Sequence, residues 1–348
     1  MATTLTAPAS ARQHTDDDAG RVTVFGAGAM GTALAMHAAR VGLDVALWAN
    51  PYDERVLKAM RSDRRHPALP EHLPESLTLF GPDQLEEAAA GCEIAILGAS
   101  SAGARSLAGM IGRALSGARF AVSVAKGLES ETGKRASEVY EEELSGVTII
   151  SVGGPCLAAE LADGSPSACV WAARNLEDAE HAGAPFEHRR YQLSYTDDVV
   201  GLEYCTVAKN VAAIGMGILD GLGKVTEERF RNAQAAVFTR AVQELTTLVT
   251  TLGGRPETAT GLPGLGDVLV TSLGGRNRLY GELIGQGEDP RAALEQMVGR
   301  GLTVEGVDSA KDVHTLAEDR TLDLPYHQAI YRVLFEGDDP RCILDVLG

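Results

Sequence analysis

The sequence predicts an α/β domain that is followed by an all-helical domain. Up to about residue 198, short apolar runs alternate with stretches of helical character, which indicates a parallel sheet with helices on its faces. From residue 199 onward no strand candidate remains, and Gly and Pro separate a series of helical segments. The 348 residues fit two domains at roughly 150 residues each. We therefore expect a disordered tail over residues 1–20, the α/β domain over 21–198 and the helical domain over 199–348.

Within the first domain, seven apolar runs are candidates for buried strands. They are Val22–Phe25, Asp44–Trp48, Ile94–Ala99, Phe120–Ala125, Val147–Val152, Ala168–Ala173 and Gln192–Tyr195. The first helix is expected at 29–41. In the second domain, helices are expected at 199–220, 226–252, 277–286, 290–298, 304–318 and 325–335.

Charge and cysteine usage exclude several classes of protein. The net charge of −17 argues against nonspecific binding to nucleic acid or to anionic membranes. No apolar run approaches the roughly 20 residues that a membrane-spanning helix needs. The five scattered cysteines form no CxxC pair, so neither a disulfide framework nor a structural zinc site is expected. We expect no signal peptide, no metal and a cytoplasmic location.

A G-x-G-x-x-G motif follows the first predicted strand and opens the first predicted helix, which is the setting of a dinucleotide-binding loop. Gly26 allows the tight turn, Gly28 allows the backbone to approach a pyrophosphate, and Gly31 allows the helix to pack on the strand. The N–H groups at the start of the helix, around Ala29 and Met30, would face the phosphates. The motif predicts NAD or NADP as cofactor.

The second strand does not decide between the two cofactors. An NAD-specific site often has an acid at the tip of this strand, where the adenosine ribose binds. Here Asp53 and Glu54 come a few residues later, and Arg55 could serve a 2′-phosphate instead. The choice between NAD and NADP stays open.

Lys209 lies in a helical segment in which all residues three and four positions away are uncharged, namely Cys205, Thr206, Ala212 and Ala213. This face should be buried. Burial lowers the pKa of a lysine toward neutrality, as a general base for an alcohol requires. The alternative is a lysine that extends from a core helix to solvent or pairs with one carboxylate.

Three further places could hold an anion or position a charge. Lys126 ends a predicted strand, beyond which ligands bind in open α/β sheets. Asp267 follows a glycine-rich turn and could pair with a buried lysine. Arg276 and Asn277 stand at a helix start, where backbone amides and a guanidinium can hold a phosphate together. The alternatives are a strand-end charge, an N-cap aspartate and a solvated basic turn, respectively.

Together, these residues resemble the NAD(P)-dependent glycerol-3-phosphate dehydrogenase family. The match runs in family order over nearly the whole chain from about residue 21. It covers Gly26–Ala35, Lys126–Glu129, Lys209–Gly215, Asp220–Gly223, Gly264–Asp267, Arg276–Arg278 and Val304–Gly306.

The resemblance implies a fold and an activity. The fold would be an N-terminal Rossmann dinucleotide-binding domain followed by an all-helical domain of the 6-phosphogluconate dehydrogenase C-terminal type. The activity would be the interconversion of sn-glycerol 3-phosphate and dihydroxyacetone phosphate with NAD or NADP, in glycerophospholipid and carbohydrate metabolism. A homodimer is expected, because two-fold dimers are the commonest soluble oligomers.

The resemblance also implies roles for individual residues. Lys209 matches the general base, Asp267 the carboxylate beside it, and Lys126 a lysine that takes part in catalysis and contacts substrate and cofactor. The other expected substrate contacts are Gly154, Cys156, Thr271, Arg276 and Asn277. The other expected cofactor contacts are Gly26, Gly28, Ala29, Met30, Gly31, Ala158, Arg276 and Glu305.

Three departures from the family pattern bear on the substrate. Cys156 stands where a hydroxyl residue is common, Gly98–Ser101 replaces a Val-Pro-Ser stretch, and Gly275 replaces a serine. Two alternatives therefore stay open: a related dehydrogenase of another small anionic hydroxy compound, and a nucleotide-sensing protein without turnover.

Overall fold

The N-terminal part of the chain folds around one sheet of eight strands. The computed structural model describes residues 20–347, so the predicted tail over residues 1–20 lies, apart from Gly20, outside the described residues. The strands are β1 Arg21–Phe25, β2 Val45–Trp48, β3 Thr78–Phe80, β4 Cys92–Leu97, β5 Phe120–Ser123, β6 Thr148–Gly153, β7 Ser167–Ala172 and β8 Tyr191–Thr196.

The strand order is β3-β2-β1-β4-β5-β6-β7-β8, and six of the seven pairings are parallel. The predicted α/β class is confirmed. The pairing of β6 with β7 is antiparallel, which the sequence analysis did not predict. The helix between these strands, Ala158–Asp163, has only six residues, or about 9 Å, which is too short to carry the chain back along a six-residue strand.

Among the described residues, seven α-helices accompany the sheet: α1 Ala29–Arg40, α2 Glu54–Asp63, α3 Leu85–Ala89, α4 Ala104–Ile111, α5 Ala136–Glu143, α6 Ala158–Asp163 and α7 Leu176–Gly183. Successive strand residues point to opposite faces of a sheet. Val24 and Phe25 of β1 accordingly belong to two different clusters of buried side chains. Both faces of the sheet are therefore covered, as in a Rossmann domain.

Residue contacts divide the chain into two units, with the second beginning at Val200. Its helices are α8 Val199–Thr226, α9 Arg231–Thr251, α10 Pro256–Thr260, α11 Asp267–Leu273, α12 Arg276–Gly285, α13 Pro290–Gly299, α14 Glu305–Arg320 and α15 Pro325–Phe335. A π-helical turn covers Leu262–Gly266 and a 3-10 helix covers Pro340–Leu347. Within the described part of this unit there is no strand, as predicted. The short helices α10 and α11 were not predicted.

Helices α8 and α12 cross with their backbones in contact through four glycines. A Cβ added at Gly217 or Gly221 of α8 would lie 2.0 or 2.2 Å from a backbone oxygen of α12. A Cβ added at Gly281 or Gly285 of α12 would lie 2.0 or 2.2 Å from a backbone oxygen of α8. The glycines of α8 thus serve helix packing, and the helix continues to Thr226 rather than ending at residue 220 as predicted.

Helix α8 is long and apolar enough to satisfy the length and composition test for a membrane span. However, 89% of its most apolar 18-residue window is buried inside the protein. That is the pattern of a core helix, so the finding is weak evidence for a membrane span.

Candidate active site

The helical unit contains a buried pair of opposite charges. Lys209 of α8 and Asp267 of α11 are 5% and 1% exposed, and Lys209 Nζ lies 2.6 Å from Asp267 Oδ1. The sequence analysis considered the effect of burial on Lys209. Burial alone favours the neutral amine, whereas the nearby carboxylate of Asp267 favours the charged ammonium. An ammonium fixed in this way can donate a proton to a carbonyl oxygen.

Asp267 owes its place to the turn before it. The π-helical turn packs so tightly that a Cβ on Gly264 would lie 1.9 Å from the carbonyl oxygen of Ala259. Asp267 is then the first residue of α11. One turn later, the Thr271 hydroxyl donates to the carbonyl oxygen of Asp267 at 2.7 Å and lies 3.4 Å from Asp267 Oδ1. The expected substrate contact Thr271 thus lies beside the charge pair.

Arg276 begins α12 after Gly275, whose φ of +99° favours glycine. The Arg276 guanidinium donates to Thr303 Oγ1 at 2.7 Å and lies 3.5 Å from a carboxylate oxygen of Glu305. Its side chain is 48% exposed. Arg276 and Glu305, both predicted to contact the cofactor, are therefore neighbours, and the guanidinium is accessible to an anion.

Asn277 is buried and joins three helices. Its Nδ2 donates to Oδ1 of Asn210 at 3.0 Å, and its Oδ1 accepts a hydrogen bond from the backbone N–H of Gly306 at 2.9 Å. The amide expected to hold phosphate thus also fixes α12 to α8 and to the start of α14. The Nδ2 of Asn210 is buried and makes no hydrogen bond with the described residues, so it remains available to a ligand oxygen.

The sequence analysis missed the partners of this cluster. Arg278 forms an ion pair with Asp220 of α8 at 2.6 Å, and Gln234 donates to the same carboxylate at 2.7 Å. Both charged residues lie in the stretches that resemble the family. The sequence carries no signal that would pair them, because 58 positions separate two residues whose helices meet only in the fold.

In the N-terminal unit, the glycine loop has the shape of a phosphate-binding turn. Gly26 has a φ of +100°, and a Cβ on Gly28 would lie 2.9 Å from the carbonyl oxygen of Gly98. Gly28 is the N-cap of α1, and within the described residues no side chain caps this helix and no acid stands in its first turn. The positive end of α1 is thus left for an anion, and this fits the pyrophosphate of NAD or NADP.

Two side chains hold the loop in this shape. Asp53 Oδ2 accepts hydrogen bonds from the backbone N–H groups of Ala27 at 2.8 Å and Asn50 at 3.1 Å. His66 is buried, and its Nε2 lies 3.0 Å from the carbonyl oxygen of Ala27. Burial lowers the pKa of His66, so the ring is held neutral and donates this hydrogen bond. Asp53, considered above for the ribose, thus supports the loop backbone.

Four of the predicted site residues of this unit line one small cavity: Met30, Lys126, Gly154 and Cys156. Cys156 is only 8% exposed and also belongs to a core cluster. Ala158 lies nearby in sequence, as the first residue of α6. The structure therefore brings the end of β5 and the turn after β6 together beside the glycine loop.

Comparison with known proteins places both units in one family. A family model for the N-terminus of NAD-dependent glycerol-3-phosphate dehydrogenase matches residues 21–179, and a model for its C-terminus matches residues 198–345. A glycerol-3-phosphate dehydrogenase (NAD(P)+) of Thermoanaerobacter sp. is 35% identical and covers 92% of this chain and 94% of the relative. One from Salinibacter ruber is 37% identical, with 94% and 93% covered.

A solved structure supports the same placement. The crystal structure of glycerol-3-phosphate dehydrogenase from Coxiella burnetii matches with a TM-score of 0.84 and 30% identity. The match covers 94% of this chain and 98% of that one.

Proposed function

Because the chain belongs to the NAD-dependent glycerol-3-phosphate dehydrogenase family, we propose that it interconverts sn-glycerol 3-phosphate and dihydroxyacetone phosphate with NAD or NADP. The observation that carries the proposal is the buried Lys209–Asp267 pair. A dehydrogenase of this type needs a group that exchanges a proton with the oxygen at C2. When bound, the reduced nicotinamide supplies the hydride for C2.

Lys209 is the proton-transfer group. In the reducing direction its ammonium donates a proton to the carbonyl oxygen of dihydroxyacetone phosphate as C2 accepts the hydride. In the oxidising direction the neutral amine takes the proton back from the hydroxyl. Asp267, 2.6 Å away, orients the amine and stabilises its charged form. Thr271 and the Nδ2 of Asn210 provide further hydrogen bonds to the substrate oxygens.

The phosphate is held at the start of α12. The Arg276 guanidinium offers a charge-assisted contact, and the first backbone N–H groups of this ten-residue helix, including that of Asn277, face the same anion. Lys126 adds a positive charge at the carboxyl end of β5 and contacts substrate and cofactor, with Gly154 and Cys156 beside it.

The cofactor is held mainly by backbone. Gly26, Gly28 and Gly31 shape the loop, and the N–H groups of Ala29 and Met30 donate to the pyrophosphate. Further cofactor contacts come from Lys126, Ala158, Arg276 and Glu305.

The direct test is oxidation of NADH and of NADPH by the purified protein with dihydroxyacetone phosphate. Unphosphorylated dihydroxyacetone and small 2-oxo acids serve as comparison substrates. We expect turnover with dihydroxyacetone phosphate and a kcat/KM far above those of the others. Higher kcat/KM on a 2-oxo acid would assign the protein to a related dehydrogenase, and cofactor binding without turnover on any substrate would contradict the proposal.

We also propose that the protein acts as a cytoplasmic homodimer. The scattered, odd-numbered cysteines suit a reducing compartment, and two-fold dimers are the commonest soluble oligomers. Cell fractionation and sedimentation equilibrium would test the two statements separately.

A further inference from the structure

We infer that Arg105 and Glu129 are positioning residues that fix the segment carrying Lys126. The inference rests on the role of Lys126 proposed above. Nothing in the motif itself indicates this function, because Glu129 is three residues beyond Lys126 and Arg105 lies on a different helix, α4.

The segment after β5 turns sharply behind Lys126. Gly127 has a φ of +118°, which favours glycine. The next residue, Leu128, is 4% exposed and forms a single antiparallel bridge with Arg135. Lys126 therefore stands at the base of a short hairpin-like excursion of the chain, residues 127–135. The position of Lys126 depends on the contacts that hold this excursion in place.

Glu129 is held by a two-pronged contact. Arg105 Nε donates to Glu129 Oε1 at 2.7 Å, and a terminal nitrogen of the same guanidinium donates to Oε2 at 2.9 Å. The hydroxyl of Thr132 donates to Oε2 as well. These contacts, with the guanidinium as the main cause, lower the pKa of Glu129 to about 2, so the carboxylate stays charged at neutral pH.

The same helical segment contacts the excursion at a second point. Ser101 lies four residues before Arg105, in the 3-10 turn that leads into α4. A Cβ on Gly127 would lie 2.9 Å from the Ser101 hydroxyl oxygen. Residues 101 and 105 are one helical turn apart, and they contact residues 127 and 129. The segment after β4 thus supports the backbone directly on the far side of Lys126.

An ordinary surface ion pair contributes little to stability. This contact differs because its geometry is bidentate and the Glu129 side chain is only 12% exposed. The chain also offers a matched comparison. Arg105 donates to Glu143 of α5 at 2.6 Å, and Glu143 has no part in the Lys126 segment.

The test compares Glu129→Gln with Glu143→Gln, each alone and combined with Lys126→Ala. Each substitution removes one carboxylate from Arg105, but only Glu129→Gln loosens the Lys126 segment. We expect Glu129→Gln to lower kcat/KM for dihydroxyacetone phosphate about tenfold, since small misplacements of a catalytic group are costly. Glu143→Gln should stay within about twofold of the wild type. In the Lys126→Ala background, Glu129→Gln should have no further effect.

Equal effects of the two Gln variants, or an undiminished effect of Glu129→Gln without Lys126, would overturn the inference. If Glu129→Gln unfolds at the assay temperature, Arg105→Lys replaces it, because lysine keeps the charge and loses the two-pronged contact. The same tenfold loss is then expected, again only when Lys126 is present. An unchanged kcat/KM in Lys126→Ala itself would overturn the proposed role of Lys126, and the inference with it. Impaired Lys126→Ala with unimpaired Glu129→Gln would overturn the inference alone.

Discussion

At the scale of single residues, the main feature is a pair of opposite charges removed from water. Moving two charges into a low-dielectric interior is costly, and their attraction offsets this cost only while both are present. Deleting one partner of a buried pair typically destabilises a protein by about 3–5 kcal/mol. A pair such as Lys209 and Asp267 is therefore hard to explain by stability alone, and proton transfer gives it a reason.

Arg276→Ala should weaken the recognition of phosphate while leaving the proton-transfer pair in place. We expect a large rise in KM for dihydroxyacetone phosphate, because a charge-assisted contact is lost. The preference over unphosphorylated dihydroxyacetone should fall with it. Steady-state kinetics on both substrates measures this, with the exposed Arg291 changed to Ala as a control. An unchanged preference would mean that the phosphate is held elsewhere, with Lys126 the next candidate.

Cys156→Ser tests the clearest departure from the family. Cys156 borders the small cavity that Lys126 also lines. If substrate contacts Cys156, as proposed, a hydroxyl at this position would gain a hydrogen bond to it. One net hydrogen bond is worth about 0.5–1.5 kcal/mol, so kcat/KM for glycerol 3-phosphate should rise by up to roughly tenfold. Cys169→Ser, at a fully buried position of the same core cluster, should change only stability. Unchanged kinetics with lowered stability in Cys156→Ser would mean that the thiol serves the core.

At the scale of elements, α8 and α12 cross in close contact, and they carry Lys209 and Arg276, the residues proposed for proton transfer and for phosphate binding. Both helices present glycines spaced four residues apart, so each pair lies on one face. Lys209 stands two turns before Gly217 on α8, and Arg276 begins α12. A substitution that separates the two helices at these glycines should therefore also move Lys209 relative to Arg276.

Gly281→Ala should destabilise the protein and lower its activity. Its Cβ would lie 2.0 Å from the Ile214 carbonyl oxygen, so the two helices must separate. Overpacking of this kind costs about 1–3 kcal/mol or more. Gly299→Ala at the end of α13 is the control, because nothing lies within 4 Å of its added Cβ. Denaturant unfolding and kcat together provide the check, and equal stability of the two variants would contradict the account.

The sequence predicts long helices and strands well, and it predicts poorly the short elements whose formation depends on tertiary packing. The helix Pro325–Phe335 has the predicted bounds, and all seven predicted strands begin within two residues of the observed start. Strand β3 has three residues at the sheet edge, and α10 and α11 have five and seven, too few for a periodic signal. The end of α8 was predicted at residue 220, six residues before the observed end at Thr226.

At the scale of the whole molecule, the site combines residues from many elements. The sequence identifies Lys209, Asp267 and Arg276 as chemically informative because their neighbours are unusual. It also indicates that Asp267 could pair with a buried lysine, as observed. It does not identify the contacts of Arg276 with Thr303 or of Asn277 with Asn210, or the Asp220–Arg278 pair, because folding brings these residues together. The residue types were therefore predictable, while the network that orients them was not.

Global stability should fall in mild acid because of His37. This buried ring has a pKa of about 4, lowered by burial and, less strongly, by Arg40 and His188, and its Nε2 lies 2.7 Å from the carbonyl oxygen of Phe186. The unfolded chain binds a proton near pH 6.5 and the folded chain does not. The free energy of unfolding is therefore not reduced by His37 above pH 6.5. It falls by about 2–3 kcal/mol as the pH decreases from 6.5 toward 4.

Urea unfolding between pH 7 and 4.5 measures this loss. His37→Gln keeps a donor for Phe186 but cannot take up a proton, so its stability should vary less with pH over this range. His181→Gln, at an exposed position, should follow the wild type. Parallel curves for the wild type and His37→Gln would show that other groups cause the acid sensitivity.

The central claim, that Lys209 transfers the proton, is tested most directly by comparing two lysines of the same helix. Lys224 of α8 forms an ion pair with Glu282 at 2.6 Å, and its side chain is 60% exposed. Lys209→Ala should lower kcat for the reduction of dihydroxyacetone phosphate by about 10² to 10⁴-fold while NAD(P)H still binds, and Lys224→Ala should leave kcat unchanged. Circular dichroism confirms folding, with Lys209→Ala/Asp267→Asn as the variant that leaves no buried charge unpaired. A kcat near that of the wild type in folded Lys209→Ala would contradict the account.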